Sequence, residues 1–290
     1  MSAVQKASLN TFGSLTGKVF AKLNKLVYDH CGVSIRDDKK FLFQTRINRR
    51  LRQLRLSSYE EYCDYVFSKE GYSQEIKFLV DVVTTHTTYF FREAHQFDYL
   101  RDTVIPQLVD HMDETQIRKL KIWSAACSTG EEVYTLAMVF QEFLKNNPKH
   151  GFLFKVLGTD VSGPVVEHAK RGIYESEGLR PVDPDLVERY FLRGKGKGDG
   201  FVKVKPELKH VVGFDQLNFF QKNFGFEEKF DVVFCRNVII YFNRKDQTTV
   251  LNRLCDNIRP GGFLFMGHTE SLNNFDLPLK RVGPTVYQRA

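Results

Sequence analysis

From about residue 117 onward, short apolar runs alternate with segments of helical periodicity, and this alternation constrains the chain more than any other feature. The runs Leu120–Ala126, Phe152–Thr159, Phe230–Cys235 and Phe263–Gly267 are nearly continuous in apolar residues, the pattern of strands covered on both faces. Between them, 130–146, 162–172 and 245–257 carry apolar residues at helical spacing. Repeated strand–helix units build a mostly parallel sheet, so the predicted class is α/β with a Rossmann-like doubly wound sheet. One interval breaks the rhythm. Between Tyr174 and Phe230 the stretch RGKGKGDGFVKVKPELKHVVGF places a glycine-rich turn among alternating segments at 188–193, 201–205 and 209–213. This suits a small antiparallel β-subdomain inserted at about 188–213.

The first third of the chain reads differently. Val19, Phe20, Leu23, Leu26 and Val27 recur at helical spacing, as do Phe43, Ile47, Leu51 and Leu54, and further helices are predicted at 58–68 and 72–84. The expected organisation is an all-α domain over 1–84, a linker over 85–93 that contributes to the active site, and the α/β domain over 94–290. The chain's net charge of +7 is concentrated at this end, where residues 1–60 carry twelve Lys/Arg against four Asp/Glu, a local +8. Clustered charge of one sign favours an anionic partner. Arg46, Arg49 and Arg50 form a predicted guanidinium ridge on the second helix, and the alternative is a solvated face.

Five cysteines, odd in number and without a Cys-x-x-Cys pair, argue against a disulfide framework or a zinc knuckle, leaving free buried thiols and no metal. No apolar run approaches the roughly 20 residues that span a bilayer, and the first residues lack a secretion-signal core, so the expected location is the cytoplasm.

Three stretches carry chemistry. The first strand runs into Ser124-Ala125-Ala126-Cys127-Ser128-Thr129-Gly130-Glu131-Glu132 and then a helix. Small residues before a helix N-terminus admit a ligand closely. The G-x-G-x-x-G and G-x-x-x-x-G-K-[ST] phosphate loops are both absent. The glutamates would repel a phosphate and attract an ammonium; alternatively they only favour the helix dipole. The second strand ends in Gly158-Thr159-Asp160, and an acid there is placed to bond ribose hydroxyls, or else to cap the helix that follows. The third is FDVVFCRNVIIYF, with Arg236-Asn237 at a strand's carboxyl end and Tyr241 close behind. For Arg236 the alternative is an ion pair, and for Tyr241 a core aromatic. A loop without phosphate chemistry, two glutamates and a ribose-type acid together suit S-adenosylmethionine better than NAD or ATP.

The strings TTYFFRE, IWSAACSTGEE, GTD, FDVVFCRNVIIYF and GGFLFMGHTESL, in this order and spacing, resemble the CheR family of chemotaxis receptor glutamate methyltransferases from about residue 15 to 288. The resemblance implies methyl esterification of receptor glutamates by S-adenosylmethionine, with S-adenosylhomocysteine as product. It implies cofactor contacts at Thr88, Arg92, Glu131, Asp160, Asn218, Phe219, Arg236 and Asn237. His86 stands where the family has Asn. Arg92 and Tyr241 are implied to lie nearest the transferred methyl. Expected partners are the acidic helical bundles of chemoreceptors, docked through Arg46, Arg49 and Arg50, with a receptor C-terminal peptide tether on the β-subdomain in some members. A monomer without nucleic-acid contacts is expected. The competing functions are a non-catalytic S-adenosylmethionine-binding regulator and a nucleic-acid methyltransferase, the latter lacking an Asn-Pro-Pro-aromatic base-holding loop.

Overall fold

In the computed structural model the described residues are 12–35, 39–84, 86–110 and 118–290. They divide into two compact units, Met1–Thr85 with Tyr241–Asn243, and His86–Ile240 with Arg244–Ala290.

The first unit is helical. Its helices are α1 (Gly17–Cys31), α2 (Lys40–Leu54), α3 (Tyr59–Phe67) and α4 (Lys69–Val83). Their starts are chemically marked: Thr16 caps α1 through Val19 N–H, Ser58 caps α3 through Glu61 N–H, and Ser68 caps α4 through Gly71 N–H. Phe20, Leu23, Val27, Phe43, Ile47, Leu51, Tyr59, Tyr62 and Leu79 form the buried core, the two predicted apolar stripes facing one another. Asn243 donates to the Tyr28 hydroxyl within this unit.

The ridge prediction needs correction here. Glu75 is fully buried on α4 and receives a two-pronged grip from Arg50, Nε to Oε2 at 2.9 Å and Nη2 to Oε1 at 2.6 Å. Arg46 donates to the Val82 carbonyl. Two of the three guanidiniums therefore serve the fold, because a buried carboxylate and an open helix end both need donors. Arg49 alone of the three is exposed.

The second unit begins with α5 (Ala94–Tyr99), a π-helical stretch (Leu100–Val104) and α6 (Ile105–Asp110). The sheet follows: β1 (Arg118–Ala125), β2 (Phe152–Asp160), β6 (Val212–Gln216), β7 (Phe230–Cys235), β8 (Ile258–Met266), β9 (Leu279–Gly283) and β10 (Val286–Arg289) in the order β6-β2-β1-β7-β8-β10-β9. The first five strands in that order pair in parallel, and β10 runs antiparallel to both β8 and β9. The chain moves outward from β1 to β2 and β6 on one side, then returns to β7 and β8 on the other. The order thus reverses at β1, where a doubly wound sheet opens a crevice at its carboxyl edge.

Helix α7 (Glu131–Asn146) follows β1, α8 (Gly163–Arg171) follows β2 and α11 (Arg244–Asn257) precedes β8. Trp123 on β1 is fully buried, bonds Thr159 Oγ1 through its indole N–H at 2.8 Å, and packs against Phe219, Phe224, Phe226 and Phe230. All five cysteines are free and buried.

The smaller sheet is antiparallel, in the order β3 (Ile173–Glu175), β5 (Phe201–Val204), β4 (Phe191–Arg193), accompanied by the short helices α9 (Pro184–Tyr190) and α10 (Pro206–Lys209). It differs from the predicted insert at both ends. Ile173–Glu175 joins it, whereas the 209–213 stretch leads into β6, which pairs in parallel with β2 from Val156–Val212 to Asp160–Gln216. Sequence alternation identifies a strand but not the sheet that hydrogen-bonds it. The segment expected as a linker at 85–93 lies, from His86 on, within the α/β unit.

Candidate active site

The loop between β1 and α7 climbs through three left-handed residues, Ala126 (φ 65°), Ser128 (φ 50°) and Gly130 (φ 96°). Gly130 is required twice over. Besides its backbone angle, an added Cβ would stand 2.7 Å from the Ala169 Cβ and 3.1 Å from the Tyr174 hydroxyl. Thus the loop lies tightly against α8 and β3.

Asp160 closes β2 and is 7% exposed. Its Oδ2 accepts the Ser128 N–H at 2.9 Å and its Oδ1 accepts the Ser162 N–H at 3.0 Å. The capping alternative is therefore partly realised, and the same carboxylate ties down the β1–α7 loop. A carboxylate can accept further donors beyond these. Burial pushes the Asp160 carboxyl above its ordinary value, opposed by those backbone donors and by the nearby His86.

Glu131 opens α7. Its Oε2 accepts the Thr129 hydroxyl at 2.6 Å, and burial pushes its carboxyl up. A cleft of about 350 Å³ is lined by Glu131 with Thr88, Thr129, Tyr174 and Phe201, among others. Thr88 and Glu131, 43 positions apart in sequence, thus share one cavity wall. The 86–93 segment is tied to the β1–α7 region by the Ser128 hydroxyl on the His86 carbonyl at 3.0 Å, and by the Phe91 N–H on Thr135 Oγ1 at 3.2 Å. His86 is half-buried. Arg92 is half-buried too, one arm donating to the Thr87 carbonyl at 2.9 Å.

Beyond β6, Leu217 N–H bonds the Asp160 carbonyl at 2.9 Å, which brings Asn218 beside the end of β2. The Asn218 amide oxygen accepts the Phe220 N–H at 2.9 Å. The Phe219 ring is buried against Trp123 and Phe224, and its carbonyl accepts from Arg253 Nη1 at 2.8 Å.

Arg236 receives a different use from the one expected of its side chain. The guanidinium is 2% exposed and lies over the Phe97 and Phe234 rings. Nε donates to Glu132 at 2.7 Å, Nη1 to Gln96 at 2.8 Å and Nη2 to the Arg92 carbonyl at 2.8 Å. The ion-pair alternative is realised, but in the interior: Arg236 fastens the Arg92 backbone to the first turn of α7. Asn237, next in sequence, is half-buried and left-handed (φ 58°). Tyr241 ends a 3-10 turn, Ile239–Tyr241, and groups with the helical unit.

Sequence reasoning missed Gln96, Glu132's partner role, Glu93 and Glu270. Glu93 and Glu270 stand inside strings that carried the family resemblance, whereas Gln96 gave no signal. Among the described residues no group of three or more His, Cys, Asp or Glu side chains could hold a metal ion, and no helix is long and apolar enough to cross a membrane.

The donor set suits one ligand chemistry. Half-buried Glu131 and buried Asp160 stand at either end of the β1–α7 loop's contacts, and no glycine-rich phosphate loop lies between them. The class is that of S-adenosylmethionine-dependent methyltransferases, as the family matches establish. Residues 86–287 match the family model described as "CheR methyltransferase, SAM binding domain", and 18–84 match "CheR methyltransferase, all-alpha domain". The chain belongs to the CheR methyltransferase family. It is 36% identical over 274 residues to the chemotaxis protein methyltransferase of Escherichia coli (strain K12), covering 94% of this chain and 91% of that one. It is 37% identical over 276 residues to chemotaxis protein methyltransferase 2 of Pseudomonas aeruginosa, covering 95% and 94%. With the chemotaxis protein methyltransferase of Borreliella burgdorferi it shares 33% identity over 276 residues, 95% of each chain.

Proposed function

We propose that this enzyme esterifies glutamate side chains on the cytoplasmic helical bundles of chemoreceptors, acting in the cytoplasm as a monomer. The observation that carries the reading is the pair of acids, half-buried Glu131 and buried Asp160, flanking a loop with no phosphate-binding chemistry, in a chain of this family. S-adenosylmethionine, when bound, supplies a methyl group on a sulfonium, a leaving group that needs no further activation.

The chain's own residues bind and orient. Asp160 takes the ribose hydroxyls and Glu131 the ammonium, with Thr88, His86, Asn237 and the Asn218-Phe219 segment completing the site. A substrate glutamate has an unperturbed pKa of about 4.3 and is already ionised at neutral pH, so no residue need act as general base. Positioning then dominates, and effective molarity supplies several kcal/mol. Arg92 steers the substrate carboxylate, its backbone held by Arg236. Arg49 supplies the basic contact to an acidic receptor bundle, since Arg46 and Arg50 are occupied in the fold. The β-subdomain is the candidate surface for a receptor tether.

The test is transfer of radiolabelled methyl from S-adenosylmethionine into receptor-bearing membranes. Base-labile counts in the receptor band are expected. Base-stable counts, or counts in nucleic acid, would refute the carboxyl-ester assignment, and cofactor binding without transfer would mark a non-catalytic regulator.

A further inference from the structure

The turn after β8 carries a buried carboxylate that the cofactor and substrate readings leave unused. Glu270 is 5% exposed. Its Oε1 accepts the N–H groups of Val238 at 3.0 Å and Ile239 at 2.9 Å, and its Oε2 accepts those of Asn237 at 2.7 Å and Gly267 at 2.9 Å. Four donors use most of what a carboxylate can accept. Three of them are consecutive in the turn that leaves β7, and that turn begins with the left-handed Asn237.

A second observation points to the same junction. A Cβ on Gly267 would stand 2.7 Å from Glu270 Oε2, 2.7 Å from Asn237 Nδ2 and 2.8 Å from the Asn237 nitrogen. Only glycine lets the two turns approach so closely. Glu93 holds the other side: its Oε1 accepts from Asn237 Nδ2 at 3.4 Å and its Oε2 from the His268 N–H at 3.0 Å. Asn237 is therefore fixed through its backbone by one acid and through its side chain by another.

We propose that Glu270 is a positioning residue for this enzyme: by gathering the N–H groups of residues 237–239 it holds the Asn237 turn in the conformation that receives S-adenosylmethionine. The inference rests on the reading that Asn237 contacts the cofactor. Glutamine at this position keeps one oxygen and so two of the four bonds, and turns an N–H₂ group toward the other two donors.

Calorimetric titration of the full chain with S-adenosylhomocysteine tests it, using Glu270→Gln, Gly267→Ala and Asn237→Ala. Glu270→Gln and Gly267→Ala are expected to bind at full stoichiometry but at least about tenfold more weakly, as lost or strained buried hydrogen bonds at the turn require. The KM for S-adenosylmethionine should rise in parallel while the KM for receptor stays. A merely structural role would lower the binding-competent fraction and leave Kd unchanged, and that result overturns the proposal. Should Glu270→Gln fail to fold, Gly267→Ala decides the matter by the same criterion. Asn237→Ala tests the underlying reading separately: wild-type affinity in this variant would remove Asn237 from the cofactor site, while the Glu270 result still decides whether the turn is positioned by its carboxylate.

Discussion

Replacing Arg50 by alanine separates the fold of the helical unit from receptor docking. Glu75 is fully buried and Arg50 is 25% exposed, with both guanidinium arms on the carboxylate. Removing one member of a buried pair leaves an uncompensated charge and costs about 3–5 kcal/mol. The Tyr62 hydroxyl would still donate to Glu75 Oε2, and water could enter where Arg50 was, so the loss should lie at the lower end, about 3 kcal/mol. That is about two orders of magnitude in the folding equilibrium, and with an m-value of about 1–3 kcal/mol/M it moves the urea midpoint down by about 1–3 M. The assay is urea unfolding followed by circular dichroism, which reports the helices. Trp123, the chain's single tryptophan, reports the α/β unit by fluorescence. Replacing Arg50 and Glu75 together by methionine should restore most of the loss, because no charge is then left unpaired. Arg49→Ala is the control: an exposed substitution should change stability by no more than about 0.5 kcal/mol while raising the receptor KM. If Arg50→Ala and Arg49→Ala unfold at the same urea concentration, the buried-charge argument is wrong.

Three other predictions address the α/β unit. Arg92→Ala should lower turnover by more than about tenfold while leaving S-adenosylhomocysteine affinity within about threefold, since positioning acts on rate more than on binding; near-normal turnover on purified receptor would remove Arg92 from the mechanism. Burial raises the Glu131 carboxyl in the folded state, so the folded form keeps its proton to higher pH than the unfolded form. Glu131 therefore lowers stability increasingly as pH climbs from about 4.3 through its raised native value. Glu131→Gln should melt higher than wild type at pH 7.5, lose that advantage near pH 4, and bind S-adenosylhomocysteine more weakly; equal melting shifts at both pH values would refute the linkage. Finally, burial raises the thiols of Cys31 and Cys255 to about 11 and pushes those of Cys127 and Cys235 well above the ordinary thiol value. A thiol reagent at pH 8 should thus release almost no chromophore from native enzyme and five equivalents in urea.

The central strands were legible because β1, β2, β7 and β8 are covered on both faces over much of their length, which writes near-continuous apolar runs into the sequence. The β9–β10 hairpin was not. LKRVG and VYQR are short, half-exposed and mixed in polarity, so their strand character comes from the pairing of β10 with β8 and of β9 with β10 rather than from any local signal. The destination of Val212–Gln216 escaped for a related reason: its partner lies more than fifty residues earlier in the chain. At the site, the acids of the β1–α7 loop and the β2 end were readable from their place in a strand–loop–helix unit. The inward turn of Arg236 depends on Glu132, 104 residues before it, and the inward turn of Arg50 on Glu75, 25 residues after it. Helical spacing tells which side chains share a face, but not what another helix brings to meet them.

Five non-glycine residues in the site region stand in left-handed conformation: Phe91, Glu93, Ala126, Ser128 and Asn237. Each such residue carries roughly 1–2 kcal/mol of local strain, and the polar network shows what holds it. Asp160 grips the Ser128 N–H, Glu270 grips the Asn237 N–H, and Arg236 grips the Arg92 carbonyl between the strained Phe91 and Glu93. The buried charges thus do two things at once. Asp160 accepts the Ser162 N–H at the start of α8 and simultaneously fixes the β1–α7 loop through Ser128, so the loop needs no glycine at 126 or 128 to take its shape. A loop made flexible by glycines would pass through these angles without strain but would hold none of them. Here the conformation is held by carboxylates whose own burial is unfavourable and is offset by the backbone donors they gather.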